Sequence, residues 1–426
     1  MADHDPHDSP ADPTRRRWLA GVGGGLGLTA AGWLAPPLAR AGDNRPPHTP
    51  EWMQRLGFPV GDRPYGRPST HEGHVIRRMI EGLNPDPHST ASFTPLGDLH
   101  GSLTPNGLVF ERHHAGVPDI DPREHRLMVH GMVERSLILT MDDLLRFPAV
   151  SRVHFLECGA NSVTERAGPN QSSVQFTHGM LANCEWTGVP LRRVLDEAGL
   201  HRGAKWVLAE GADAAGMTRS IPLDASADDA LLVYAQNGER LRPEQGYPLR
   251  LVMPGLEGNL SVKWLRRLKV GDQPWMTREE TSKYTDLQPD GLARQFTLLM
   301  EAKSVITHPS AGHRLEAKGF HEIRGLAWSG SGRVKSVEVS VDGGRHWHTA
   351  TLHGPVLPKA LTRFSLPWEW RGEPAWLQSR VWDESGYLQP TPEQLVAARG
   401  TLSIYHYNAI QTWHVDRHGE VTNDRA

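Results

Sequence analysis

The stretch VKSVEVSVDGGRHWHTATL, residues 334–352, alternates strictly, with Val337, Val339 and Val341 on one face and polar residues between them. Apolar residues at a period of two can only share one side of a strand. The Asp342-Gly343-Gly344 turn then leads to a second strand carrying Trp347. LTRFSLPWEW (361–370) and AWLQSRVWDESGYLQP (375–390) continue with short strands and turns. This spacing predicts a β-sandwich of immunoglobulin-like type over residues 290–418. It lacks a Cys…Trp…Cys pattern, because Cys158 and Cys184 are the only cysteines and both lie earlier.

Residues 109–285 read differently. REHRLMVHGMV reads as a strand with Leu127, Val129 and Met132 inward, and MDDLLRFP as a short helix capped by Thr140. VHFLEC is a buried strand running into Cys158, VPLRRVLDEAGL a helix ending near Gly199, and AKWVLAEGAD another strand. LLVYAQNGERL is a hairpin turning at Asn237-Gly238. The expected class is α+β with a mixed sheet, followed by the sandwich. With 43 Gly and 33 Pro among 426 residues, long helices are not expected. Residues 42–108, rich in Pro, Gly and His, read as an extended arm wrapping the next domain.

Residues 1–41 read as an address. TRRRWLA carries paired arginines, a Gly-rich weakly apolar run follows to Ala35, and Ala39 and Ala41 sit as in an A-x-A cleavage site. This predicts a twin-arginine signal, export of the folded protein to the periplasm and, with nothing long and apolar after Ala41, no membrane span in the mature chain. A common reason to fold before export is a cofactor inserted beforehand. The formal net charge of −3 gives no footing for a nucleic-acid partner.

The chemistry narrows to one thiol. There is no C-x-x-C-H, so no haem is expected in this chain, and no H-E-x-x-H, Walker loop or G-x-S-x-G. Cys184, in LANCEWTG, reads as a buried apolar thiol, and the spacing leaves a Cys158–Cys184 bridge open. Cys158, where a buried strand meets a loop, suits either a nucleophile, with His154 or His178 as base, or a soft-metal ligand. A single thiolate ligand requires a metal carried by an organic cofactor.

FLECGANS (155–162) resembles the molybdenum-ligand loop of the sulfite oxidase family. LVFERHHAGVPDIDPREHRLMVHG and GYPLRLVMPGLEGNLSVKWLRRLKV resemble that family's entry to the cofactor domain and its cofactor-binding segment, in the same order. VWDESGYLQPT and AARGTLS resemble its dimerisation domain. RHHAGVPDIDP, PEQGYPLR, TSKYTDL and AIQTWHV resemble the branch serving bacterial sulfur-oxidising (Sox) systems. The resemblance implies a molybdenum–molybdopterin cofactor, with Cys158 as metal ligand and His114, Asn161, Arg250 and Lys263 as cofactor-binding residues. It implies Arg112, Tyr284 and Arg399 as catalytic residues. The physics is consistent: a pterin phosphate needs cations around it, and guanidinium forks match sulfur oxyanions.

The departures bear on substrate. Ser162 and Val163 stand where sulfite oxidases place arginines after the Asn, Phe176 where they have Trp, and Gln245 where a cofactor-binding histidine is usual. A less cationic, wider pocket follows, favouring sulfane sulfur on a carrier protein over free sulfite. The implied reaction is oxidation of sulfur by oxygen-atom transfer at molybdenum, with electrons leaving to a c-type cytochrome subunit. The sandwich would build a homodimer within a larger heteromer. The rival readings are a stand-alone sulfite:cytochrome c dehydrogenase and a cofactor-free periplasmic binding protein on the same fold.

Overall fold

The computed structural model describes residues 68–79, 86–169 and 172–425. The expected signal and most of the arm's first half lie outside the described residues. Among the described residues no helix is long and apolar enough to cross a membrane.

The arm's described part carries two strands, β1 (Arg78–Met79) and β2 (Ala91–Phe93), which join β3 (Glu111–Arg112) in a three-stranded sheet. β2 is wholly buried, so the arm supplies core rather than lying loosely over it.

Two sheets build the next region. One has the order β5-β4-β13-β8-β9: β4 is Leu127–Gly131, β5 Leu137–Leu139, β8 Trp206–Gly211, β9 Thr218–Pro222 and β13 Leu265–Gly271. Its β13–β4 pair is parallel and its other pairs antiparallel, so the sheet is mixed as expected. The other runs β11-β10-β7-β6, with β12 also on β10. Here β6 is Val150–Glu157, β7 Leu181–Pro190, β10 Leu231–Gln236, β11 Glu239–Arg240 and β12 Arg250–Val252.

Local signals explain the turns. Thr140 caps helix Met141–Leu145 through a reciprocal capping box with Asp143. Helix Leu191–Ala198 ends where Gly199 takes φ +72°. Asn237 and Gly238, at φ +49° and +81°, make the tight turn between β10 and β11. Leu127 and Val129 are fully buried, whereas Met132 only packs against the core's edge.

A hairpin, β14 (Asp286–Leu287) with β15 (Ala293–Arg294), precedes the sandwich. One sandwich sheet is β16-β17-β21-β20: Lys303–His308, Gly319–Trp328, Thr362–Trp370 and Thr351–His353. The other is β19-β18-β22-β23-β24: His348–Thr349, Val334–Ser340, Ala375–Asp383, Thr412–Val415 and Val421–Asp424. Val337 and Val339 are fully buried between the sheets, but Trp347 precedes the second strand rather than lying in it; its ring stacks with Arg380 at 4.1 Å. Where the two halves join, Met300 N–H donates to the Gly255 carbonyl at 3.0 Å and Gly330 N–H to the Met300 carbonyl at 2.7 Å. A Cβ on Gly255 would sit 2.5 Å from the Gly330 oxygen, so the main chains touch with no room for a side chain.

Candidate active site

Cys158 lies just past the buried end of β6, and its thiol lines a cavity of about 700 Å³, open mouth included. Three stretches far apart in sequence supply most of the wall: Phe110 to His114, Leu156 with Cys158, and Gln245 to Trp264. Asp213, Met217 and Tyr284 complete it.

The wall is cationic. Arg112, Arg250 and Lys263 all face the cavity, and among the described residues none has a carboxylate within ion-pair distance. Arg250 is buried; its Nη1 donates to the Gln245 carbonyl and side-chain oxygens at 3.2 and 3.1 Å, and its Nε has no partner. Burial brings its pKa down to about 10. Lys263, expected at the cofactor, lines the cavity from just before β13 rather than from within a strand. Its Nζ bonds the Arg112 carbonyl at 3.1 Å, His113 Nδ1 at 2.8 Å and the Glu244 carbonyl at 3.1 Å. Burial, and then neighbouring Arg250, hold its pKa well below the usual lysine range. Burying positive groups without anionic partners is unfavourable, and a bound polyanion removes the penalty.

Both histidines of the Arg-His-His run face the cavity, and their environments separate them. His113 Nε2 pairs with Glu111 at 2.7 Å. His114 is brought to about 4 by burial and by Arg112, so it is neutral at ordinary pH. Arg112 is anchored by bonds to the His113 and Thr90 carbonyls. The Cys158 thiol is pushed up by burial, which the Ala160 amide and Arg112 oppose.

Tyr284, at φ +49°, is clamped between the Tyr405 ring at 4.7 Å and the Arg219 guanidinium, also at 4.7 Å. Arg219 is itself buried and paired with Glu280 at 3.2 Å.

Two expected site residues are placed elsewhere. Asn161, expected at the cofactor, does not line the cavity: its Nδ2 donates to Glu157 Oε1 at 2.9 Å and its Oδ1 accepts from Met180 N–H at 3.1 Å, pinning the loop on Cys158. Arg399, expected at the substrate, lies outside the wall; its Nη2 donates to Glu301 at 3.2 Å, and the other nitrogen Nη1 has no partner. His154 and His178 are likewise buried away from the cavity, His154 within β6 and His178 at a helix end. Phe176 packs edge-on against Phe93 at 5.7 Å, while Gln245 does line the cavity. Both cysteines are free.

Sequence reasoning missed what reaches this site from the sandwich side: Tyr405, and His406, whose N–H donates to the Gly159 carbonyl at 2.7 Å. It also missed Arg219 beneath Tyr284. The aromatic run in SIYHYN was the only local signal for the first two.

The donor set fits a metal inside an organic cofactor better than a bare ion. Among the described residues no group of three or more His, Cys, Asp or Glu could hold one. A single soft thiol beside three unpaired cations suits a metal bonded to an anionic carrier.

Residues 114–279 match the oxidoreductase molybdopterin binding domain, and residues 294–413 the Mo-co oxidoreductase dimerisation domain. The chain is 32% identical to sulfite oxidase of Gallus gallus over 411 residues, covering 88% of each. It is 35% identical to the mitochondrial sulfite oxidase of Mus musculus over 274 residues, 60% of this chain and 50% of that one. Among solved structures it is similar to the sulfane dehydrogenase SoxCD from Paracoccus pantotrophus, with TM-score 0.87 and 49% identity, covering 89% of this chain and 98% of that one. With the cavity's thiol, its cations and both domains in hand, this chain belongs to the sulfite oxidase family, as a SoxC-like molybdopterin oxidoreductase acting on sulfur.

Proposed function

We propose that the chain oxidises sulfur, as sulfane sulfur held on a carrier protein and/or sulfite, in the periplasm, and passes electrons to a c-type cytochrome subunit. The observation that carries the choice of substrate is the cavity's charge. Among the described residues Arg112 is its one guanidinium besides the buried Arg250: Ser162 and Val163 add no cation, and Ser162 is turned into the interior, bonded by Lys303. One fork suits a sulfur group borne on a larger body; a small dianion calls for more. The likeness to a sulfane dehydrogenase supports the same substrate class.

When bound, the molybdenum cofactor supplies two-electron redox chemistry and oxygen transfer to sulfur. Arg250 and Lys263 would hold its anionic groups, and Cys158 would ligate the metal. Arg112 orients an anionic sulfur oxygen by a charge-assisted bond. His114 stays neutral and so adds no charge to the pocket. Tyr284 keeps its proton, because burial pushes its pKa up, and so offers an O–H to developing negative charge. Each oxygen added to sulfur comes from water, with release of two protons and two electrons. A homodimer through the sandwich, within a heteromer that includes the cytochrome, fits the matched dimerisation domain.

The deciding experiment is sulfite-dependent reduction of soluble cytochrome c by the molybdenum-loaded chain alone. Little turnover, restored by a cytochrome subunit and a sulfane-bearing carrier, is the expected result. Fast turnover with free sulfite favours the second reading, a self-sufficient sulfite dehydrogenase, for which the resemblance to sulfite oxidases speaks.

A further inference from the structure

Glu157, the residue before Cys158, is fully buried, and every donor around its carboxylate comes from a specific place. Oε1 accepts from Asn161 Nδ2 at 2.9 Å and from Lys303 Nζ at 3.0 Å; Oε2 accepts from Trp328 Nε1 at 2.7 Å. Lys303 also donates to Ser162 Oγ at 2.9 Å, and Ser162 sits in the left-handed region at φ +66°. The two ends of the Cys158 loop are thus tied to one ammonium group.

Lys303 and Trp328 belong to the sandwich. They are direct partners across β16 and β17, so their side chains leave the sheet on the same face. The ammonium lies 5.7 Å from the Trp328 ring centre. A lysine within the run KSVITH, five of whose six residues are buried, has no role in sandwich packing that an apolar residue would not fill. Among the described residues its side-chain hydrogen bonds go to Glu157 and Ser162, at the two ends of the cysteine loop.

We propose that Lys303 and Trp328 are positioning residues for Cys158, and that the sandwich serves, beyond any part in dimerisation, as the outer bracket of the metal-ligand loop. They touch neither the cavity nor Cys158 itself and act through Glu157, Asn161 and Ser162. The proposal rests on Cys158 being the molybdenum ligand. A loop so tied fixes the sulfur's direction before the cofactor arrives, which is the function of outer partners at metal sites.

The test uses the full-length chain with three variants: Trp328→Phe, which keeps the ring and removes only the N–H; Lys303→Met; and Lys303→Met with Glu157→Gln, which leaves no buried unpaired charge. In chain made without cofactor, alkylation of Cys158 by iodoacetamide is timed, with buried Cys184 as internal reference. In loaded chain, the sulfur-to-metal charge-transfer absorption, kcat and KM are measured. We expect alkylation to quicken about tenfold, the absorption band to shift, and kcat to fall about tenfold with KM within about twofold. Unchanged alkylation and an unchanged band in the folded variants would overturn the proposal, whatever the loss of stability. If the lysine variants do not fold, Trp328→Phe decides alone: about threefold faster alkylation supports the bracket, and a wild-type rate overturns it. Failure of the underlying reading is separate, since a wild-type chain that takes up no molybdenum when the cofactor is supplied would remove the ligand role and leave the alkylation result standing for the loop.

Discussion

Cys184 sits in the middle of ten-residue β7, wholly buried, with Gln236 Nε2 donating to its sulfur at 3.0 Å. Cys158 stands one residue beyond the neighbouring β6, open to a cavity walled by Arg112, Arg250 and Lys263. The two thiols adjoin one apolar cluster, with Cys184 inside it and Cys158 only at its edge. Inside that buried cluster the Cys184 thiol is pushed up to about 12 by burial. Around Cys158 positive charge is in surplus. The first environment contributes stability; the second gives some up so that a ligand can restore it.

The sharpest way to break this comparison is to change each sulfur to oxygen. Cys158→Ser should lower turnover by about a thousandfold or more and strip molybdenum from the purified protein, since losing a ligand exceeds the 10–100-fold cost of losing an outer partner. Cys184→Ser should leave turnover within about twofold and cost about 1–2 kcal/mol in a denaturant melt. Equal effects at the two sites would end the distinction.

The dry side can be probed by acid. His154 pairs in register with Cys184, is 6% exposed, and neither ring nitrogen has a hydrogen-bond partner. Burial brings its pKa from 6.5 to about 4, so between these values the unfolded chain binds the extra proton. Its contribution is therefore complete above about pH 6.5 and lost as pH falls toward 4, on the order of 3 kcal/mol at most. His154→Gln should flatten that part of the stability–pH curve.

On the cavity side, Arg112→Ala should raise KM about 10–100-fold, the worth of a charged hydrogen bond. Arg399→Ala should leave KM within about threefold and act mainly on stability, because Arg399 bonds Glu301 outside the cavity wall. The smallest effect is the most telling. Arg250→Met should stabilise the cofactor-free chain by about 1–2 kcal/mol, relieving a buried unpaired charge, while molybdenum content falls at least about tenfold. Loss on both counts would mean the cation is part of the core.

Much of this contrast was legible in the order of residues. Strand β6 running into Cys158, the Thr140 cap and the Asn237-Gly238 turn are local, and local patterns print themselves in sequence. The cavity's three stretches were found by resemblance to a family, since nothing local links Arg112, Cys158 and Lys263. A return of the sandwich upon the site was expected at Arg399; what escaped was the set of residues that make it elsewhere. Lys303 meets Glu157 across 146 residues, and Trp328 across 171. A lone lysine in an apolar strand was the trace of this contact, and such a residue reads as an edge charge. Asn161 was misplaced for a related reason: in a tight loop a side-chain amide serves the backbone as readily as a ligand.

Gly255 and Gly330 meet main chain to main chain where the halves join. Such a joint can be inherited only as a pair. A graft of another relative's sandwich onto this cofactor half would seat only if the donor carries a residue without a side chain at the facing position. The two modules, though separately matched, are in this sense a single heritable unit, and recombination between them is restricted by two hydrogen atoms.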